Sequence, residues 1–344
     1  MKFSPYKIIV VVLVGLLFYL LFHFKNSSTQ NLEIDKPRIV AITQIAPHPS
    51  LDQIRKGIED EINASNFKRL NIIYQNAQGN LATATQISQK FASISPDVIV
   101  PITTPSAQSV YAIAKSLKIP VVFSAVSDPV GAKLIAKFPQ PGDGITGLSD
   151  LSPVEEQADL IKAILTANSQ LNNRSTIGVI YNSGETNSVI LVNLIEEALA
   201  KRGIKLLKAC ASTTIEVAAA AKSLIGKVSA IYLPNDNTII SALESVLLVT
   251  NEHKVPVISA DPESVARGCL ATISHNQYQL GRQTGAMVVR MLKGESLHNI
   301  PVEKPAKIEL LINLDTAKHM GILIPDNLIK KADRLIEKVA QDDE

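Results

Sequence analysis

Short, continuously apolar runs alternate with longer amphipathic stretches along most of the chain. Arg38–Ile45, Leu70–Tyr74, Val98–Ile102 and Val121–Phe123 read as strands. Between them Asp52–Ala64, Ala82–Ser93 and Pro105–Leu117 carry the helical period. Because the strand runs are hydrophobic throughout, they predict parallel strands covered on both faces, a doubly wound layer. The pattern breaks between Phe138 and Leu151 into the loop-like Pro139-Gln140-Pro141-Gly142-Asp143-Gly144-Ile145-Thr146-Gly147. A new helix then opens with Ser152 at the N-cap, Pro153 in the first position and Glu155-Glu156 in the first turn.

The alternation resumes beyond that point. Strands are predicted at Thr176–Tyr181, Lys205–Ala209, Ala230–Leu233, Val257–Ser259 and Leu270–Ile273, with helices at Ser188–Arg202, Glu216–Ile225 and Thr238–His253. A second crossing near Ser274–Gln277 would return the chain through a helix at Gly281–Lys293. The chain also repeats itself: Lys118-Ile119-Pro120-Val121-Val122-Phe123-Ser124-Ala125 and Lys254-Val255-Pro256-Val257-Ile258-Ser259-Ala260 share one plan, and each leads to Asp-Pro, at Asp128-Pro129 and Asp261-Pro262. Two copies of one unit imply two similar α/β lobes facing across a cleft. The expected division is 31–150 plus about 277–305 for the first lobe, and 151–276 plus about 306–344 for the second.

Ile8–Phe24 is apolar or weakly polar throughout, with Lys2 and Lys7 before it and Lys25 after. About 17 helical residues span roughly 25 Å, near the lower limit for a bilayer. His23-Phe24-Lys25-Asn26-Ser27 does not resemble a cleavage site, so the expectation is an uncleaved membrane-spanning signal anchor over 1–30, with a cleaved secretory peptide as the alternative. No Cys follows the run, which excludes a lipoprotein anchor. The remaining body would face outward, into the periplasm.

The 344 residues carry a formal net charge of +2 with no basic block, which argues against a nucleic-acid partner. Lys330, Lys331, Arg334 and Lys338 are interleaved with Asp333 and Glu337 and read as one solvated helix face. The two cysteines, Cys210 and Cys269, lie in apolar, strand-like contexts that favour buried free thiols over a disulfide.

Gly142, Gly144 and Gly147 form a literal G-x-G-x-x-G. It does not sit in the turn between a strand and the helix that strand feeds, so hinge flexibility is the better reading than phosphate binding. There is no nucleophile elbow, zinc-protease, P-loop or C-x-x-C motif, and the histidines, His48 beside two prolines among them, are scattered. The expectation is a non-enzyme without metal or cofactor. What the chain does offer is seven polar turns at the C-terminal ends of predicted strands, where open α/β sheets bind ligands: 44–50, 76–80, 103–108, 124–129, 182–188, 234–238 and 260–264. Each polar residue there could equally be a helix cap; the case rests on all seven facing one crevice.

Several of these segments have specific wording: Tyr74-Gln75-Asn76-Ala77-Gln78-Gly79, Thr104-Pro105-Ser106-Ala107-Gln108, Ser127-Asp128-Pro129-Val130-Gly131-Ala132, Ile177-Gly178-Val179-Ile180-Tyr181-Asn182-Ser183, Ile231-Tyr232-Leu233-Pro234-Asn235-Asp236-Asn237 and Leu280-Gly281-Arg282-Gln283-Thr284. Through them, Arg38 to Ile336 resembles the type I periplasmic solute-binding proteins of ABC importers, and within them the tryptophan/tyrosine-type family. The resemblance implies two lobes joined by a multi-strand hinge, closing on a small ligand, an aromatic amino acid, that is passed to a permease and its ATPase. It implies a carboxylate site at Thr104-Pro105-Ser106 and Ser183–Asn187, and an ammonium partner among Asp128, Asp236 and Asp261. Tyr74, Phe123, Tyr181, Tyr232 and Tyr278 are the stacking candidates, and Gln44, Asn76, Gln108, Ser127, Asn237 and Ser264 complete the polar set. A helical tether departs from the family's lipid-anchored or released forms and raises a second reading, a membrane-tethered sensory receptor that feeds no transporter.

Overall fold

The computed structural model describes residues 37–172 and 175–337. The anchor expected over 1–30 and Lys338 fall outside the described residues. Among the described residues no helix is long and apolar enough to cross a membrane.

The first half runs β1 (Arg38–Gln44), α1 (Pro49–Asn63), β2 (Leu70–Asn76), α2 (Leu81–Ser93), β3 (Val98–Ile102), α3 (Thr104–Leu117), β4 (Val121–Phe123) and β5 (Ile145–Gly147). Its strands form one parallel sheet in the order β2-β1-β3-β4-β5. The chain continues through α4 (Val154–Ala167), α5 (Ser169–Asn172), β6 (Thr176–Tyr181), α6 (Thr186–Ala200), β7 (Lys205–Cys210), α7 (Val217–Leu224) and β8 (Ala230–Leu233). Then follow α8 (Asn237–Ser241), α9 (Leu243–Glu252), β9 (Val257–Ser259), α10 (Glu263–Ala266), β10 (Ala271–Ser274) and α11 (Gln277–Leu292). β11 (Glu309–Asn313), α12 (Leu314–Met320), α13 (Asp326–Lys331) and β12 (Arg334–Ile336) close the described chain. The second sheet orders its strands β12-β11-β10-β9-β8-β6-β7.

Five expectations need correction. The Gly142–Gly147 stretch is not itself the hinge: it turns into β5, which pairs with β4, and the crossing starts at Leu148. Gly147 is required for close approach, since a Cβ there would stand 2.1 Å from the Phe123 carbonyl oxygen. The second sheet is not wholly parallel, because β11 runs antiparallel to β10 after the chain re-enters from the first half. The segment read as one helix from Thr238 to His253 breaks at Ala242. At the C-terminus, Lys330 and Lys331 end α13 but Arg334 opens an edge strand, so no single helix face collects them. Cys269 is buried as expected, whereas Cys210 is exposed, and both are free.

One core cluster gathers side chains from Val40 to Leu148 together with Leu280, Met287, Val288, Leu292, Ile300 and Val302. α11, arriving from the far side of the second sheet's strands, therefore packs into the first half. It does so through glycine. A Cβ on Gly281 would lie 2.1 Å from the Ile54 carbonyl oxygen of α1, and one on Gly57 would lie 2.2 Å from the Tyr278 carbonyl oxygen. The two backbones touch with no side chain between them, and α1 presents its first turn to the cleft while α11 presents Gln277. The buried hydroxyls of Ser124 and Thr284, 2.8 Å apart, tie α11 to the end of β4.

Three segments cross between the halves, and they are paired with one another. Ser149 N–H donates to the Glu303 carbonyl at 2.9 Å, and Glu303 N–H donates to the Gly147 carbonyl at 3.0 Å. The His275 ring lies between the carbonyl oxygens of Leu151, at 3.3 Å from Nε2, and Lys307, at 3.1 Å from Nδ1.

In an ordinary helix Gly→Ala stabilises by up to about 1 kcal/mol. Gly281→Ala is expected to do the opposite here, costing about 1–3 kcal/mol as α1 and α11 are forced apart. Urea unfolding of the variant measures this; equal or greater stability than wild type would show that the backbones are not in contact.

Candidate functional site

The two sheets point the C-terminal ends of their strands at one cleft, and each of the seven polar turns contributes lining residues. The inner end has a cavity volume of about 40 Å³ and the mouth about 1020 Å³. The first half supplies His48 and Ser50 from the start of α1, Thr103 before α3, and Ala125 and Ser127 after β4. The second supplies Asn187, Asn235, Asp236, Asn237 and Asp261. Asp150 comes from the first crossing and Gln277 from the second. Leu51, Ile54 and Ile240 are the larger apolar surfaces. Ser50 Oγ reaches the carboxylate of Asp261 on the opposite half, so the walls meet directly.

Several of the inner groups are prepared but unpaired. Both ring nitrogens of His48, Thr103 Oγ1 and Asn187 Oδ1 are buried with no partner among the described residues. Leaving such groups unmade in a buried place is costly, and a bound polar molecule removes the cost. Thr103 also holds φ +80°, a conformation normally left to glycine, pinned by its N–H on the Ser124 carbonyl at 2.9 Å. Thr104 Oγ1 and Ser106 Oγ, in the first turn of α3, are likewise buried and unpartnered, although they do not line the inner cleft. Burial holds His48 below the usual imidazole range, against the pull of Asp261.

The sequence-predicted residues separate into three groups. Ser127, Asn187, Asp236, Asn237 and Asp261 line the inner cleft, and Gln108 and Ser183 line its mouth. Gln44, Asn76, Asp128 and Ser264 brace the turns instead. Gln44 Nε2 donates to the Ala46 carbonyl at 2.9 Å, and Asn76 Oδ1 accepts from Gln78 N–H at 2.8 Å. Asp128 Oδ1 caps Val130 and Gly131, and Ser264 donates to Asp261. The five aromatic candidates line neither the inner cleft nor its mouth. Phe123 and Tyr232 are core, the latter donating to Gln157 Oε1 at 2.7 Å. Tyr74 lies under the Arg55 guanidinium at 4.5 Å, Tyr278 donates to Asp60 at 3.0 Å on the outer surface, and Tyr181 ends β6 beside Cys210.

Sequence reasoning missed His48, Ser50, Thr103, Asp150, Asn235 and Gln277 as site residues. His48, Ser50, Thr103 and Asn235 stood inside turns already singled out, whereas Asp150 and Gln277 lie in segments read only as connections. It also missed Glu185, whose buried carboxylate accepts from the N–H groups of Asn237 and Thr238 at 3.1 and 3.0 Å and from both their side chains. Glu185 thus fills the N-terminus of α8 from outside that helix. Asp236 caps the same helix through Ile239 N–H at 2.9 Å, while its other oxygen takes Asn182 N–H and Ser188 Oγ.

Two α/β halves, three paired crossings and a polar cleft drawn from both sides define a two-lobed solute-binding receptor. The profile of the family described as "ABC transporter substrate binding protein" matches residues 39–336. The chain belongs to that family. It is 35% identical over 310 residues to the tyrosine-binding protein of Clostridioides difficile (strain R20291), covering 88% of each chain. A Streptococcus pneumoniae ABC domain in complex with L-Trp superimposes with a TM-score of 0.82 at 32% identity, over 88% of this chain and 100% of that one. The ligand-free, open structure of a substrate-binding protein with adhesive properties from Clostridium difficile gives 0.64 at 34% identity, over the same shares. Similar identity with a lower score against an open form agrees with the Ser50–Asp261 contact: this structure is the closed arrangement.

Burial, with the Glu185 charge adding to it, raises Asp236 to about 7. An unfolded carboxyl titrates near 3.9, so the folded protein holds the extra proton in between. The stability tied to that proton is complete below about pH 4 and is lost as pH rises through about 7. Asp236→Asn cannot lose it. The Tm of the variant minus that of wild type is expected to increase between pH 5 and pH 8; a difference that stays flat or shrinks would contradict the buried acid.

Proposed function

We propose that this protein is the extracytoplasmic receptor of an ABC importer, that its ligand is an aromatic amino acid, and that it delivers this ligand to a permease with its ATPase. The observation that carries the reading is the set of unpaired, buried polar groups on both walls of a closed cleft: His48 and Thr103 on one side, Asn187 on the other. They are the groups a small polar solute must satisfy. A ligand carboxylate would find a donor at Thr103, the N-cap of α3, whose side chain makes no capping bond and whose helix has no acid in its first turn. The ligands in the names of the relatives, tyrosine and tryptophan, support the aromatic class. The aromatic ring would lie on Leu51, Ile54 and Ile240 rather than stack, because the tyrosine and phenylalanine candidates point elsewhere.

In this reading the lobes divide as 31–150 plus about 277–305 and 151–276 plus about 306–344, with the segment over 1–30 holding the body at the periplasmic face of the inner membrane. The test is thermal unfolding of the purified protein against the twenty amino acids, nucleosides and sugars. Ligand at 100 times its Kd adds about 2.7 kcal/mol, which raises Tm by roughly 5 °C. Shifts of that size with tyrosine, tryptophan or phenylalanine are expected; shifts only with a sugar or nucleoside would overturn the reading.

A further inference from the structure

Three aspartates line the inner cleft, and their partners distinguish them. Asp261 is filled by Ser50 Oγ, by Ser264 N–H at 2.9 Å and by Ser264 Oγ at 2.5 Å. Asp236 is filled by Ile239 N–H, Asn182 N–H and Ser188 Oγ. Asp150 is only 5% exposed and receives a single described hydrogen bond, from Ser127 Oγ at the long distance of 3.4 Å. Among the described residues it makes no ion pair, and no lysine or arginine lines the inner cleft.

We propose that Asp150 is the group that reads the ligand's positive charge, and that it makes the receptor specific for solutes carrying a primary ammonium. The proposal rests on the cleft being the solute site, and deepens that reading by assigning its counter-charge. A carboxylate this buried, with one weak donor, is poorly compensated without a cation. Burial accordingly raises Asp150, with His275 in the hinge pulling the other way. An ammonium brings three donors and a full charge to a place where the chain supplies one long hydroxyl hydrogen bond and, from the hinge, the His275 ring. A hard metal ion is a poorer fit: it wants six or more oxygens, and no group of three or more acidic, histidine or cysteine side chains suited to a metal occurs among the described residues.

The position adds selectivity. Asp150 belongs to the first crossing, its N–H on the Val126 carbonyl at 3.4 Å, and Ser127 and Ser149 bind each other's turn through Ser149 Oγ on the Ser127 carbonyl at 3.1 Å. Its carboxylate is therefore fixed against β4's end and the hinge, not carried on a mobile loop. A zwitterion would span from this anchor to the donors at Thr103, and a solute lacking either charge would leave one end unpaired.

The experiment is a thermodynamic cycle by calorimetry on the full chain. Wild type and Asp150→Asn are titrated with L-tyrosine and L-tryptophan and with their desamino analogues, 3-(4-hydroxyphenyl)propionate and indole-3-propionate. Removing the ammonium from the ligand is expected to weaken wild-type binding about 100-fold, and Asp150→Asn to weaken amino-acid binding by a similar factor. The variant should then discriminate the two ligand classes by less than about fivefold. Asp150→Ser repeats the cycle should the amide variant misfold, with far-UV circular dichroism as the check. A neutral variant that keeps the full preference for the amino acid overturns the proposal while leaving the aromatic reading intact. Should only a non-aromatic amino acid bind, with the same coupling to Asp150, the proposal stands and the aromatic reading fails. If no amino acid binds wild type, both fall.

Discussion

The backbone contact between α1 and α11 is the constraint on which the rest of the structure depends. α1 is among the first elements of the described chain and α11 follows the whole run of strands from β6 to β10, yet Gly57 and Gly281 leave no space for a methyl group between them. Gly285 extends the seam, where a Cβ would stand 2.6 Å from Glu61 Cβ. Ion pairs decorate its rim, Arg282 with Glu61 and Lys56 with Asp60, but exposed pairs of this kind add little. Close packing along the seam does the holding. Because α1 opens on His48 and Ser50 while α11 opens on Gln277, the seam also fixes two parts of the cleft wall relative to each other.

The crossings turn that rigidity into a hinge. The chain leaves the first half at Leu148, returns at Asn276 and leaves again after Glu303, and Ser149, Glu303 and Gly147 pair these strands in a short ladder. His275, contacting Leu151 on one side and Lys307 on the other, sits where all three meet. Lobe motion about such a ladder needs changes in only a few dihedrals, while each lobe stays a packed body. Asp150 and Gln277 lie closest to the ladder, where a hinge motion would displace them least. Ser50 and Asp261, on turns away from it, meet across the cleft. An amino-acid backbone held at the hinge would stay in place while the second wall arrives.

The alternation of apolar and amphipathic runs made most of the fold legible, because parallel strands buried on both faces leave an unbroken hydrophobic signal. β5, three residues in a run of Gly and Pro, and β12, an exposed edge, lacked it and were missed, and the antiparallel β11 was missed although Leu310, Leu311 and Ile312 carry it. The turns of the cleft were legible for a related reason, since the C-terminal ends of parallel strands must face it. Which side chain within a turn looks inward was not. Asp128 looks as well placed as Asp261 in the sequence, both in Ser-Ala…Asp-Pro copies of one repeat, yet it is occupied by Val130 and Gly131 of its own turn. The aromatic candidates failed to reach the cleft because strand residues such as Phe123 and Tyr232 belong to layers that the sheet packing had already claimed.

The acids of the cleft differ in how far the chain itself occupies them. In the second lobe the helix N-termini are filled from within the chain: Glu185 and Asp236 occupy α8, and Asp261 occupies the first turn of α10. Those carboxyl groups face backbone amides, which occupy their oxygens. In the first lobe the cap side chains of α1 and α3 make no hydrogen bond, but in α1 the Leu51 and Asp52 N–H groups already reach the His48 carbonyl and Asp52 places an acid in the first turn, whereas the first turn of α3 has none. Among the three aspartates of the inner cleft, Asp150 at the hinge receives the fewest described hydrogen bonds. On the proposal that Asp150 takes an ammonium, an α-amino acid would lie with that end at the hinge and its carboxylate towards Thr103.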